Sequence, residues 1–180
     1  MLVDLTVKEF LNKVAGSDPV PCGGSIAALN GAIASALAAM VANLTIGKKG
    51  YEEHEELMQH IAGVALQEQN TFIKDIDRDS EAYDSVFACF KMPKATDEEK
   101  AARQQAVQEA TRYATEVPFK TMNLCYECMS VAKAMAEIGN PNSVTDAGVG
   151  ALAARAGVMG AFLNVKINAA GLEDKAFAEK

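Results

Sequence analysis

Residues Pro21–Tyr51 read PCGGSIAALNGAIASALAAMVANLTIGKKGY, and the reading of this stretch decides the fold. No charged side chain occurs between Pro19 and Gly47. A run of that length is first weighed as a membrane span, which takes about 20 apolar residues. Its composition points elsewhere. Ala, Gly, Ser and Asn gain little from lipid, and Asn30, Asn43 and Thr45 would need partners there. Small residues recur instead at helical spacing: Ala27, Gly31 and Ser35, and Ala28, Ala32 and Ala36. Rows of this kind let neighbouring helices approach closely. The stretch predicts a helix buried on nearly all sides of a protein interior, and no membrane span.

The flanking sequence reads as further helices. Thr6-Val-Lys-Glu9 is a capping box that opens a short first helix, closed by Gly16. The Pro- and Gly-rich loop Ser17–Gly24 breaks the chain before the buried helix, which ends at Gly47 and Gly50. A long third helix, with room for a kink, is expected from Glu52 to Phe90. Lys91–Ala95 is a turn, and Thr96-Asp-Glu-Glu99 is a second capping box that starts a fourth helix. Pro118 is expected to kink or break that helix, because a proline loses a hydrogen bond. The helix resumes to Glu137 and stops at Gly139-Asn140-Pro141; a last one runs from Thr145 to Ala170. No segment alternates with period two. The expected fold is all-α: one domain over residues 1–180, a bundle of about five to six helices around a buried Ala/Gly-rich helix.

Bulk properties narrow the function. At 180 residues the chain is long enough for one real core. A net charge of −7 argues against a nucleic-acid surface, which needs a basic stripe, although local lysines can still meet a small anion. Asp4, Lys8 and Glu9 interrupt any signal-peptide pattern, so a cytoplasmic location is expected. Cysteines 22, 89, 125 and 128 read as reduced thiols. Cys125 and Cys128 form a C-x-x-C inside a helical pattern, without the βαβ context of a redox pair, and read as two small buried thiols.

The third helix carries the sharpest chemical signal. Ile61, Ala65, Gln69, Phe72, Ile76, Asp79, Tyr83, Val86 and Phe90 are spaced by threes and fours, as one inner face requires. Asp79 is the only charge in this row, while Asp77 and Asp84 fall off it and read as solvated. An inward carboxylate is unfavourable unless paired or neutral, and such sites are often functional. The alternative is a structural aspartate that caps a neighbouring helix or pairs with a lysine. Asp75, Asp77 and Asp79 imitate a calcium loop, but Ser80 and Val86 stand where its Gly and Glu are needed. His54 and His60, six apart, face different sides of a helix, so no metal site is expected. Gly23-Gly24-Ser25 at a helix start is either an anion cradle or a flexible cap. Lys48, Lys49, Lys91 and Lys94 are either surface lysines or, as a group, a cradle for an anionic tail. Ser143, Thr145 and Asp146 look first like helix-cap residues. Asn164 and Asn168, one turn apart, can bridge helices or contact a ligand edge.

Four blocks together resemble one family, the formimidoyltetrahydrofolate cyclodeaminases and related methenyltetrahydrofolate cyclohydrolases. They are Pro21-Cys22-Gly23-Gly24-Ser25 with its small-residue helix; Val41–Lys48; Asp79-Ser-Glu-Ala-Tyr83 with Lys91-Met-Pro-Lys94; and Gly139–Asp146 followed by Asn164–Asn168. They span nearly the whole chain in the family's order. One departure stands out: the family often has a third glycine where this chain has Cys22. The resemblance implies that Asp79 matches the catalytic aspartate. It implies substrate contacts from Gly23, Gly24, Ser25, Lys48, Tyr83, Asn142, Asp146 and Asn164. The implied reaction converts 5-formimidoyltetrahydrofolate to 5,10-methenyltetrahydrofolate with loss of ammonia, and the alternative is hydrolysis of the methenyl compound to 10-formyltetrahydrofolate. The folate, with or without a polyglutamate tail, is then the substrate, and no cofactor or metal is expected. A homodimer is implied too, and two Ala/Gly-rich helices are more than one bundle core needs. Readings of other classes are a non-catalytic helical dimer that binds a folate or another anion, and a membrane or scaffold protein built on the small-residue helix.

Overall fold

The structure, a computed structural model, describes residues 1–179. These form α1 (Val7–Val14), α2 (Gly23–Asn43), α3 (Glu55–Phe90), α4 (Asp97–Ile138), α5 (Val144–Ala170) and α6 (Lys175–Ala178), with no strand among them. Both capping boxes form: Thr6 Oγ accepts from the Glu9 N–H and Thr96 Oγ from the Glu99 N–H, at 3.3 and 3.2 Å. Each Glu reaches back to the N-cap N–H, so paired donors that a helix start leaves open are satisfied. Gly47 and Gly50 lie in the turn after α2 with φ of +70° and +88°, a left-handed backbone that suits residues without a Cβ.

α2 is the hub, with α3, α4 and α5 packed around it. Its small residues make this possible. A Cβ on Gly31 would fall 2.4 Å from the ring of Phe72, so the missing side chain is the slot that a fully buried Phe72 fills. Ala38, Ala39, Val41 and Ala42 meet Met58, Ala62, Ala65 and Met135 in a second cluster nearer the helix C-terminus. The helix is not covered all round, however. Ile33 and Met40 are 42% and 37% exposed, because the short α1 shields only the first turns of that face.

Three features depart from the sequence reading. Glu52–His54 is a separate 3-10 turn, and α3 then runs unbroken. α6 was not foreseen; Asp174 caps it by accepting from the Phe177 N–H at 3.0 Å. α4 passes through Pro118 without a break. A proline leaves the carbonyl four residues back without its helical donor. Here that acceptor, Ala114 O, receives the side-chain amide of Asn168 on α5 at 2.8 Å.

By length and composition both α2 and the segment 141–170 could cross a membrane. For α2, 61% of the most apolar window is buried inside the bundle, as expected of a core helix. For the second only 22% is buried. Val149, Leu152, Met159, Leu163 and Ile167 form an exposed apolar stripe along α5, interrupted by exposed Arg155 and Lys166.

Candidate functional site

α2 and α3 pack side by side in opposite directions, which sets the first turn of α2 against Asp79. Asp79 is 8% exposed. Its Oδ2 lies 3.3 Å from Cys22 Sγ and 3.2 Å from Ser25 Oγ, both placed to donate. Gly24 lies directly beneath: a Cβ there would come within 2.0 Å of Oδ1. Cys22 is the N-cap of α2 and makes no side-chain capping bond, so the positive end of the helix dipole faces the carboxyl. Burial pushes the Asp79 carboxyl above its usual range, while Cys22, Ser25 Oγ and the Ser25 N–H pull it back. Burial and the charge of Asp79 raise the Cys22 thiol in turn. The arrangement merges the two alternatives left open by the sequence: Asp79 caps a neighbouring helix, and it is also a desolvated carboxyl able to hold or release a proton.

Asn164 joins this group from α5. Its Nδ2 donates to Gly160 O at 2.9 Å, and a Cβ on Gly23 would stand 3.1 Å from the same nitrogen. Asn168, one turn on, bridges to α4 instead. Tyr83 follows Asp79 by one turn but is 39% exposed, and Phe90 is exposed as well. The inner stripe thus opens to solvent beyond Asp79, because α2 begins there and leaves that part of α3 to α4 alone, through Val86 beside Ala82, Ala114 and Val117.

The other candidates gather elsewhere. Lys48 Nζ donates to Asn140 Oδ1, which also accepts the Asn142 N–H at 3.1 Å. Asn140 donates through its own N–H to Thr45 Oγ1 at 2.8 Å and through Nδ2 to Leu44 O at 3.2 Å. This buried asparagine, which the sequence marked only as part of a helix stop and of a resemblance block, ties the end of α2 to the start of α5, where Asn142 is exposed and Asp146 half-buried. Lys48 also lies over the Tyr51 ring at 5.4 Å and has no carboxylate partner among the described residues. At about 1.5 Å rise per residue, α2 alone separates this cluster from Asp79 by about 30 Å. Lys91 and Lys94 lie at the Asp79 end of the molecule, so within one chain the four lysines do not form one cradle.

Asp77 is not solvated. It is 8% exposed, and its Oδ1 accepts the Leu2 N–H at 2.6 Å while Oδ2 has no partner. Asp75 is buried on another side of α3 and pairs with Arg78. Helical periodicity presumes one buried face, but the N-terminal turn and α4 wrap α3 here on two more. Asp84 is exposed, as its position suggested. Cys125 and Cys128 are free and buried, with thiols pushed up to about 12 chiefly by desolvation. Two apolar clefts of the chain are lined by residues other than Asp79. One of about 340 Å³ is lined by Leu2, Phe10, Ile33, Gln69, Ile73 and Ile76; one of about 320 Å³ by Thr115, Phe119, Val165 and Phe177.

The sequence profile described as formiminotransferase-cyclodeaminase matches residues 6–180. A methenyltetrahydrofolate cyclohydrolase of Methylorubrum extorquens is 46% identical over 175 residues, covering 97% of this chain and 84% of that one. The formimidoyltransferase-cyclodeaminase of Rattus norvegicus is 31% identical over 179 residues, 99% of this chain. The chain spans 33% of that relative's length. The crystal structure of formiminotetrahydrofolate cyclodeaminase from Thermotoga maritima superposes with a TM-score of 0.88 at 30% identity, covering 99% of this chain and 85% of its own.

Proposed function

The chain belongs to the formiminotransferase-cyclodeaminase family, and from that premise we propose that it transforms the one-carbon unit of a tetrahydrofolate with Asp79 as the proton carrier. The observation that carries this is the desolvated Asp79 carboxyl held at the start of α2 by Cys22 and Ser25. Both candidate reactions pass through a tetrahedral carbon and need one proton removed and another delivered. In hydrolysis of the cationic 5,10-methenyltetrahydrofolate, water adds to the methenyl carbon and loses one proton to Asp79; the C–N5 bond then breaks as N5 takes that proton, and the remaining hydroxyl proton leaves to solvent as the formyl C=O forms on N10. In cyclodeamination, N10 adds to the formimidoyl carbon of the protonated (amidinium) 5-formimidoyl compound and gives up its proton to the carboxylate, which passes it to the –NH2 group so that ammonia leaves and the methenyl cation remains. A single carboxyl with a raised pKa serves both. The electrophile is the folate's own carbon, so the reading needs no metal or organic cofactor.

Hydrolysis is the first reaction to test, because the cyclohydrolase relative is 46% identical over nearly all of both chains. Cyclodeamination, the reaction that the sequence resemblance puts first, is the second, favoured by the Thermotoga maritima structure and the Rattus norvegicus relative. The conjugated methenyl compound absorbs at longer wavelength than the formyl or formimidoyl compound, so one assay at that band reads both reactions with opposite sign. Loss of absorbance from the methenyl compound faster than in buffer supports hydrolysis. A gain from the formimidoyl compound, with ammonia, supports cyclodeamination. Neither change, with folate bound, leaves a binding protein.

We also propose a homodimer in which each pocket is completed by the other subunit. The exposed stripe on α5 supports it, as does the distance between Lys48 and Asp79 within one chain. Antiparallel packing of two α5 helices along this stripe would set the start of one against the end of the other, the self-complementary contact of a two-fold axis. Sedimentation should show a dimer, and Leu152→Lys with Leu163→Lys should give a folded, inactive monomer. A fully active monomer would sink the shared pocket.

A further inference from the structure

We infer, resting on the reading of Asp79 as proton carrier, that Cys22 is a positioning residue: its thiol holds Oδ2 of Asp79 and leaves Oδ1 to the substrate. The Sγ–Oδ2 contact, at 3.3 Å, joins residues 57 apart in sequence. Ser25 Oγ is also within reach of Oδ2, at 3.2 Å, but its single proton is contested. The Ile76 carbonyl is closer at 2.8 Å, and Ser80 Oγ stands at 3.1 Å. A hydroxyl has one proton to give. The Cys22 thiol has no rival acceptor among the described residues, so it is the uncontested side-chain donor to Oδ2. Oδ1 receives no side-chain donor in the described residues and rests beside the bare Cα of Gly24, with the Ser25 N–H the one backbone donor at the carboxyl. A residue without a side-chain donor at position 22 would leave Oδ2 to the contested Ser25 hydroxyl alone.

The charges around Asp79 are few. Asp75 is the nearest, one turn back on α3, paired with Arg78 and facing Lys120 of α4. α2 offers no charge in its first turn, and α5 offers the neutral Asn164. Removing the thiol should accordingly be felt by Asp79 directly.

Cys22→Ala is expected to lower kcat by about two- to fivefold, the worth of one weak hydrogen bond, with little change in KM. The limb of the kcat–pH profile set by Asp79 should move to higher pH, because the thiol favours the ionised carboxyl. Cys22→Ser should restore both. An unmoved limb in Cys22→Ala overturns the proposal. A second readout does not depend on turnover: alkylation of Cys22 by iodoacetamide, followed against pH by mass spectrometry of its peptide. In Asp79→Asn the charge that raises the thiol is gone, and alkylation should begin at lower pH. An unchanged onset also overturns the proposal. Failure of the folate reading alone would look different: no turnover of either folate, with the alkylation shift retained.

Discussion

The Asp79 carboxyl lies so close over Gly24 that the two positions cannot both carry a full side chain in this packing. Gly24→Ala should therefore act on the site more than on the fold. The carboxyl, at the end of a short rotatable side chain, can swing away from the new methyl, and alanine favours the helix by up to about 1 kcal/mol. Helical content and melting temperature should change little, while turnover falls by about 10²-fold or more, as for loss of the proton carrier itself. Normal turnover in this variant would mean that Asp79 is not needed where the structure puts it.

Asp79→Asn should lose roughly 10²–10⁴-fold in kcat while still binding folate. It should also report on stability. A carboxyl whose folded-state pKa is raised contributes stability below its unfolded pKa and loses it as pH rises through the folded value. The neutral asparagine avoids that loss. The variant should melt higher than the parent at neutral pH, or as high, and the gap should shift in favour of the parent as pH falls through the carboxylate range. A variant that melts lower at neutral pH, by an amount that acid does not change, would mark Asp79 as purely structural. The exposed Asp84 gives the silent control, as Asp84→Asn. Asp77 cannot serve, since its carboxylate holds the Leu2 N–H.

Lys48→Ala tests the distant cluster. Lys48 is held by Asn140 through a neutral amide, and its charge is left for an anion. KM should rise more for polyglutamylated than for monoglutamylated folate, with kcat nearly unchanged. Equal effects on both would place Lys48 away from the tail, and no effect would leave it a surface lysine.

Asn168 and Pro118 should be coupled. Asn168→Ala strips the partner from Ala114 O and is expected to destabilise by about 1–3 kcal/mol, the range for an unpaired buried polar group. In a Pro118→Ala background the helix supplies its own donor, and the same substitution should do much less. Denaturant unfolding of the four proteins gives the coupling directly, and strict additivity would refute the compensation.

Where the sequence could be read, one local rule governed the outcome. Thr6 and Glu9, or Thr96 and Glu99, need only each other to set a helix start. Gly31 and its neighbours announced close packing because spacing and side-chain size are both local. Asp79 could be found as the charge in an apolar row. The burial of Asp75 and Asp77 could not, since it depends on which distant segments wrap α3, and Leu2 is 75 residues away from its partner. The same holds for Asn140, whose role comes from meeting the end of α2. Tyr83 and Phe90 continue the periodic row but pass beyond the end of the helix that would have covered them. Lys48 and Lys91 seemed one group only until the length of α2 was laid between them. Cys22 lies in a loop, where no periodicity indicates which way a side chain points.

The bond from Asn168 to Ala114 exists only because Pro118 leaves a vacancy in the hydrogen-bond ladder of α4. An apolar seam between two helices tolerates sliding, since one methyl resembles the next. A single unfilled carbonyl does not, because it accepts an amide at one height along the axis and at no other. Proline and asparagine together work as an indexing notch that fixes the axial position of α5 on α4. Asn164 sits one turn from the notch, so its alignment with Gly23 is inherited from it. A residue that ordinarily ends a helix here sets the alignment at which an amide meets the Asp79 site, through the carbonyl it leaves open at Ala114.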